Sequence, residues 1–484
     1  MKIIFVARSH FYQQLGIMYL SSIIDTLPIQ KKLCLARMDD VLSEIDSAQG
    51  KVVLAYSVMS YDSQFYIDFN RALKRIRPEI FSIMGGPHPT FHPQCLEEEG
   101  IDAICLGEGE WAFLELCEKL LAGEDYTSVR NFWFKRNASM IRNSVRPLDP
   151  DISKIPFPDQ NMFFSMGVEH LTLPVFASRG CPFSCSFCFN HQAKELYRDK
   201  GPYLRFRDPQ NVIDEIQTAE RKLTLKIRRV FFMDSTFIYN KPWLHDLCAL
   251  YKKEIKIPFS CTARADLVDE ETIALLKDSG CCRVGFGAEV GNEAYRMKTL
   301  KKNITNDQLL RTAALLRKHK LKFKVFNMLG LPHRSLANDI ETLKFNWRLA
   351  PDCAHASLFT PLPGTLFHEE LVSNNLLTKQ FGEENNFSLL KKESNIKFEG
   401  KAEKRQIENF YKFFTFCARF PIFYPLVRLL ITLPFDNVYH AFHRCFFYFF
   451  NACIFENPTD IFRVVLKHNP LKLIRIFFSQ AKEY

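Results

Sequence analysis

The chain has 484 residues with 47% hydrophobic and 24% charged residues, enough for two or three domains with substantial cores, and it is neither a disordered polymer nor a small disulfide scaffold. Its 15 cysteines are odd in number and mostly scattered, and the start carries no signal-peptide pattern, so a reducing cytoplasm is the expected compartment. A net charge of +10 permits contact with nucleic acid or anionic lipid, but no arginine-rich tract concentrates it in the first 380 residues and no RNA-binding motif is appended, so no nucleic-acid partner is expected.

In residues 1–145, short apolar runs at Met1–Ala7, Lys51–Ser57, Phe81–Gly86 and Ile101–Cys105 read as buried strands. Amphipathic stretches separate them. Strand and helix in alternation predict a doubly wound, Rossmann-like parallel sheet whose ligand lies at the carboxyl ends of the strands. Polar and glycine-rich pieces fall at those ends, namely Ser57–Ser60, Gly85-Gly-Pro-His-Pro-Thr90 and Gly107-Glu-Gly-Glu110. Glycine there lets a backbone approach a large ligand with no Cβ in the way. Residues 146–171 read as a linker.

Residues 172–375 open on Ala177-Ser-Arg-Gly-Cys181-Pro-Phe-Ser-Cys185-Ser-Phe-Cys188. The spacing C-x3-C-x2-C offers three soft thiolates, which suit zinc or an iron–sulfur cluster with one corner left open. His191 would complete a Cys3His zinc site, the competing reading. Further strands are predicted at Arg229–Asp234, Phe259–Ala263, Cys282–Gly287, Phe323–Met328 and His355–Thr360. Helical periods lie between them, the clearest being Asp269–Gly280, acidic at its start with glycine past its end. With the strand leading into Cys181 this makes a partial (β/α)6 barrel, whose chemistry gathers at the carboxyl ends of its strands.

These motifs together resemble the radical S-adenosylmethionine (radical SAM) superfamily, and within it the subgroup with a cobalamin-binding domain ahead of the barrel. The first-domain pieces Leu15–Leu20, Ser57–Ser60, Gly85–Thr90 and Gly107–Glu110 carry the cobalamin half of the likeness. It implies cobalamin contacts from Ser57, Gly85, Gly86, His88, Pro89, Thr90, Gly107 and Glu108. The D-x-H-x-x-G motif of base-off cobalamin proteins is absent, so His88 is expected near the corrin as a loop residue, not as a cobalt ligand. In the second half, the resemblance implies a 4Fe-4S cluster on Cys181, Cys185 and Cys188 with SAM at its open iron. Phe187 matches the position that packs near the adenine, Asp234 and Ser235 the motif facing the SAM amino group, and Arg264 and Glu289 the ribose and carboxylate contacts. Ser235 departs from that motif, which is usually richer in acidic residues or glycine. Leu329-Gly-Leu-Pro332 and Pro361-Leu-Pro-Gly-Thr365 match later loops of the barrel.

Residues 376–484 begin with a polar stretch, Lys379–Lys404, and then shift to phenylalanine, leucine and arginine, as in Phe442–Phe450 and Leu471–Phe478. Helices are expected there. Arg419, Pro421, Pro425 and Arg428 interrupt Phe416–Phe435, so no transmembrane span is predicted. A cap on the barrel core is the favoured reading of these aromatics, with peripheral membrane contact as the other. The resemblance implies a cobalamin-dependent radical SAM C-methyltransferase acting on an unactivated carbon of a small-molecule or lipid-like metabolite, served by an electron donor such as flavodoxin or ferredoxin. A cyclisation or rearrangement with the same cofactors, or a zinc-stabilised protein without catalysis, are the alternatives.

Overall fold

The computed structural model describes residues 1–8, 14–136, 139–164, 172–223, 227–378 and 392–450. Two compact units divide the chain, one from Met1–Phe259 with Leu362–Glu369 and the other from Ser260–Pro361 with Glu370–Tyr484.

The first unit opens on strands β1 (Lys2–Ala7), β2 (Gln30–Leu35), β3 (Val52–Ser57), β4 (Phe81–Gly85), β5 (Ala103–Cys105), β6 (Phe132–Arg136) and β7 (Ser139–Arg142), in the sheet order β2-β1-β3-β4-β5-β6-β7. The first five run parallel, with Ile4 opposite Leu54 and Leu54 opposite Ser82. Because side chains alternate along a strand, Ile3 and Phe5 enter one core with Ile17, Met18 and Phe113, while Ile4 and Val6 enter another with Val41, Tyr66 and Leu73. Helices Leu15–Ile23 and Glu110–Ala122 supply the first core, and Met38–Asp46 and Ser63–Ile76 the second. This is the predicted doubly wound arrangement. Two pieces were not predicted: β2, whose Gln-Lys-Lys start lies on the outer edge of the sheet, and the antiparallel hairpin β6–β7. The connecting stretch 146–171 is also tied down in its described part, since Ile152, Ile155, Met162 and Phe163 are buried in the first core.

The same unit continues with β8 (Thr172–Val175), β9 (Ser178–Arg179), β10 (Arg205–Phe206) and β11 (Arg229–Phe232). β8 and β11 pair in parallel, and the short β9 pairs antiparallel with β10, Arg179 opposite Arg205. The cysteine loop leaves β9 and enters helix Asn190–Leu196.

β12 (Phe259–Thr262) stands at the boundary between the units, and β13 (Cys281–Glu289), β14 (Lys322–Leu329) and β15 (Cys353–Leu358) follow in the second. β13, β14 and β15 are parallel neighbours separated by helices Asn306–Lys318 and Leu336–Leu349. All six predicted β-then-α strands are therefore present. Helix Glu270–Asp278 starts where its sequence says, because the Asp269 side chain accepts the Thr272 N–H at 2.8 Å. Helix Lys401–Arg419 buries Ile407, Phe410 and Phe414 in one cluster with Leu329, Ala356 and Leu358 of the strands, so part of the aromatic region does complete a core. Helices Tyr424–Leu430 and Asp436–Phe450 follow. Leu471–Phe478 lies outside the described residues. Among the described residues no helix is long and apolar enough to cross a membrane.

Candidate cofactor sites

A cavity of about 220 Å³ opens at the carboxyl ends of β3, β4 and β5 in the first unit. Its depth is apolar, formed by Phe5, Ala55, Ile83, Phe113 and Phe132, and its mouth is backbone: Gly16, Gly85, Gly86, Gly107 and Gly109 line it. The glycine loops leave room for a large ligand to approach the backbone at this cavity. The loops are sterically bound to glycine. Gly86 has φ +96°, and a Cβ there would stand 2.9 Å from the Val58 carbonyl; at Gly107, φ +72°, it would collide with the Tyr197 hydroxyl. Of the residues expected at cobalamin, Ser57, Gly85, Gly86, Gly107 and Glu108 line this cavity. His88, Pro89 and Thr90 do not. Thr90 braces the mouth instead, its hydroxyl donating to Gly86 O at 2.8 Å and accepting the Gly107 N–H at 2.9 Å. His88 is buried on the short helix Pro87–Phe91, 3.4 Å from Ser60 Oγ and with its ring 5.2 Å from that of His92. Burial pushes the His88 imidazole down to about 3, so it is neutral near pH 7.

The cavity is tied to the cysteine loop by an ion network that sequence spacing could not show. Arg179, two residues before Cys181, lines the cavity and pairs with Glu108 at 3.2 Å and Glu110 at 2.5 Å. Arg205, opposite it on β10, also pairs with Glu108 and donates to Asp149 O at 2.9 Å. Burial acts to raise the Glu108 carboxyl, but Arg179 and Arg205 outweigh it and hold it below the ordinary carboxylate range. The Tyr197 hydroxyl accepts the Glu108 N–H at 2.6 Å, and Asn131 Nδ2 donates to Leu106 O and Glu108 O. One loop, Gly107–Glu110, is thus held by residues from four other segments.

Cys181, Cys185 and Cys188 are half-buried on the loop that follows. Gly180, φ +93°, permits the turn, since a Cβ there would lie 2.1 Å from Tyr203 O. The loop folds on itself through Cys188 N–H to Cys185 O at 3.1 Å, and Lys194 closes it on Pro182 O at 3.1 Å and Ser184 Oγ at 2.6 Å. Asn190 Nδ2 donates to Cys188 Sγ at 3.5 Å, and the Tyr203 hydroxyl in turn fixes Asn190 at 2.7 Å. Three soft sulfur donors on one short loop fit an iron–sulfur cluster. No group of three or more His, Cys, Asp and Glu side chains among the described residues is arranged to hold a single metal ion. His191, half-buried, is in the first turn of helix Asn190–Leu196, its N–H 3.4 Å from Cys188 O.

Phe187 is half-buried and Ser235 exposed. Asp234 is buried, and its carboxylate accepts from Ser178 Oγ at 2.5 Å and the Ala177 N–H at 3.3 Å, so it braces the strand leading into the thiol loop; burial raises it to about 6. Next to it, Thr236 Oγ1 is buried without a hydrogen-bond partner among the described residues, an unsatisfied hydroxyl beside the motif expected at SAM. In the second unit, Arg264 Nε pairs with Asp266 at 2.9 Å. Glu289 sits at a β-bulge in the left-handed region, φ +61°, and pairs with Lys302 at 2.6 Å, a partner 13 positions on that sequence reading missed. Backbone strain held at a buried carboxylate is a common mark of a functional position. The loop Leu329–Pro332 is held by Asp339, which accepts the Gly330 N–H at 3.1 Å.

Two regions of the chain match known families. Residues 2–117 match the B12 binding domain and residues 175–345 the radical SAM superfamily. An uncharacterized methyltransferase of Pyrococcus horikoshii is 30% identical over 310 residues, 63% of this chain and 66% of that protein. The anaerobic magnesium-protoporphyrin IX monomethyl ester cyclase of Rubrivivax gelatinosus is 28% identical over 316 residues, 62% of this chain and 54% of that one. The chain therefore spans between about half and two thirds of these relatives. Among solved structures, the radical SAM methyltransferase TsrM from Kitasatospora setae superposes with a TM-score of 0.64 at 16% identity, covering 78% of this chain and 77% of that one, a likeness of fold.

Proposed function

We propose that this chain, a radical SAM protein with a B12-binding domain ahead of its radical SAM domain, is a cobalamin-dependent C-methyltransferase acting on an unactivated carbon of a small-molecule or lipid-like metabolite. The observation that carries the reading is the ion network, because Arg179 both lines the glycine-mouthed cavity and leads into the three-thiol loop within one compact unit. When bound, the cluster, SAM and cobalamin supply reductive cleavage of SAM to a carbon-centred radical and the methyl group to be transferred. Cys181, Cys185 and Cys188 would hold the cluster. The loops at Ser57, Gly85–Gly86 and Gly107–Glu108 would receive cobalamin, and Thr90, Asn131 and Tyr197 keep those loops in shape. Phe187, Asp234, Ser235, Arg264 and Glu289 are assigned to SAM, with the Thr236 hydroxyl as an added candidate donor. No side chain need act as a nucleophile. An external one-electron donor of flavodoxin or ferredoxin type completes the system.

A ring closure with the same cofactors is the second reading, favoured by the cyclase relative. Two measurements on anaerobically reconstituted protein decide. Iron, sulfide, zinc and cobalt per chain come first. Iron and cobalt are expected, iron is expected to be lost in Cys185→Ser and kept in His191→Ala, and zinc released by His191→Ala overturns the cluster assignment. Product mass with methyl-deuterated SAM then separates the reactions: a labelled methyl in the product supports transfer, and its absence with turnover supports cyclisation.

A further inference from the structure

The segment after the long C-terminal helix is apolar on two opposite faces, and among the described residues only one of them is covered. Helix Tyr424–Leu430 turns Val427, 2% exposed, into the core cluster that also holds Phe413, Cys417 and Ile431. Its other face presents Leu426 and Leu429, the latter 65% exposed. Ile422, 83% exposed, precedes them, and exposed Leu433, Phe435 and Val438 follow. An exposed apolar ridge of this extent marks a surface with a partner. The ridge is rigidly mounted. Asn409 Nδ2 donates to Ile431 O at 3.2 Å and Leu433 O at 3.3 Å, the Tyr439 hydroxyl donates to Leu430 O at 2.9 Å, and the Tyr424 ring packs edge-on against Trp347.

Charge indicates which partner. Phe435 and Val438 also line a cavity of about 430 Å³ together with Lys401, Lys404, Arg405 and Lys412. Lys392 and the carboxylates of Glu393, Glu408 and Asp436 line it as well. Lys404 pairs with Glu408 at 3.7 Å and Lys412 with Asp436 at 3.8 Å, whereas no carboxylate among the described residues is ion-paired with Lys392, Lys401 or Arg405. Surplus cations in a cavity that shares Phe435 and Val438 with the exposed apolar ridge suit a bilayer surface with anionic headgroups, where hydrocarbon and phosphate adjoin. We propose that this face docks the protein peripherally on membranes containing anionic phospholipid, the ridge from Ile422 to Val438 entering the headgroup boundary and a headgroup phosphate seating between Lys401 and Arg405. The inference does not depend on the reaction assigned above.

The test is flotation of the full chain with vesicles of phosphatidylcholine alone and of phosphatidylcholine mixed equally with phosphatidylglycerol. Binding is expected only to the mixed vesicles and is expected to fall as salt is raised. Ile422→Asp with Leu429→Asp, both at exposed positions, is expected to abolish it, and Lys401→Gln with Arg405→Gln to weaken it by about fivefold per cation. Thermal unfolding confirms that each variant is folded. Absence of binding, equal binding to both vesicle types, or binding that survives the Asp pair overturns the proposal. A dimer that Ile422→Asp with Leu429→Asp converts to monomer, without vesicle binding by the parent, assigns the face to a second copy and also overturns it. Competition by inorganic phosphate in the absence of any vesicle binding reduces the cavity to a free-anion site, with the same consequence.

Discussion

Asp339 illustrates what burial does to a single carboxyl. It lies in the first turn of its helix, buried, with the Gly330 N–H and the nearby Arg334 as its favourable partners. Desolvation exceeds both and raises it from 3.8 to about 7. A raised acid binds its proton more tightly folded than unfolded, so its contribution to stability is whole below about pH 4 and is lost as pH climbs to about 7. Asp339→Asn keeps an acceptor for Gly330 and cannot ionise. Relative to the parent, the variant is expected to gain on the order of 4 kcal/mol between about pH 4 and about pH 8, read by urea unfolding at the two values; an unchanged gap refutes the account. Residues of this kind divide by legibility. The three cysteines were readable because eight consecutive positions hold the whole motif and short spacing fixes geometry. Glu289 was singled out from its Gly-Phe-Gly-Ala-Glu run, but its bulge and its pairing with Lys302 were not legible, since a left-handed φ at a glutamate is imposed by neighbouring strands. Asp234 was read as a ligand contact, and its bonds to Ala177 and Ser178 join strands far apart in sequence.

At the scale of elements, apolar strands and well-capped helices announced themselves, and edge elements did not. β1, β3 and β4 are buried on both faces and read as continuous apolar runs. β2 begins Gln-Lys-Lys with one side unpaired, so burial places no demand on half its residues. The loop Gly107–Glu110 was visible as glycine and glutamate after a strand. What holds it was not, because Arg179, Arg205 and Tyr197 arrive from 69 to 97 residues away. Those distances predict an energetic coupling. Glu108→Gln leaves the Arg205 guanidinium, only 2% exposed, without its carboxylate partner. The expected loss is about 3 kcal/mol, toward the lower end for buried pairs because Glu108 itself is 29% exposed. Arg205→Ala in the Glu108→Gln background is expected to cost ~1–3 kcal/mol less than in the parent. Additive losses would show that the network carries no shared energy.

For the molecule as a whole, the cofactor cavity belongs to the first unit and none of the three cysteines lines it. Hydroxocobalamin is therefore expected to stabilise the protein by about 2.7 kcal/mol at a hundredfold excess over its Kd, and Cys185→Ser is expected to retain that gain while losing iron. Loss of the gain in the cysteine variant, seen as an unchanged Tm on adding hydroxocobalamin, would mean that the cavity forms only around a loaded cluster. The sequence by itself determined the order of the two domains, the six strand-and-helix repeats and the thiol loop, because each is a local pattern of burial period, glycine position or ligand spacing. Only the tertiary structure decided that Arg179 joins cavity to thiol loop, that Thr90 braces the cavity mouth while His88 lies outside its lining, and that among the described residues the aromatic region buries one apolar face and leaves another outward. Those are facts about which distant side chains share a space, and one-dimensional spacing carries no information about that until the chain has folded.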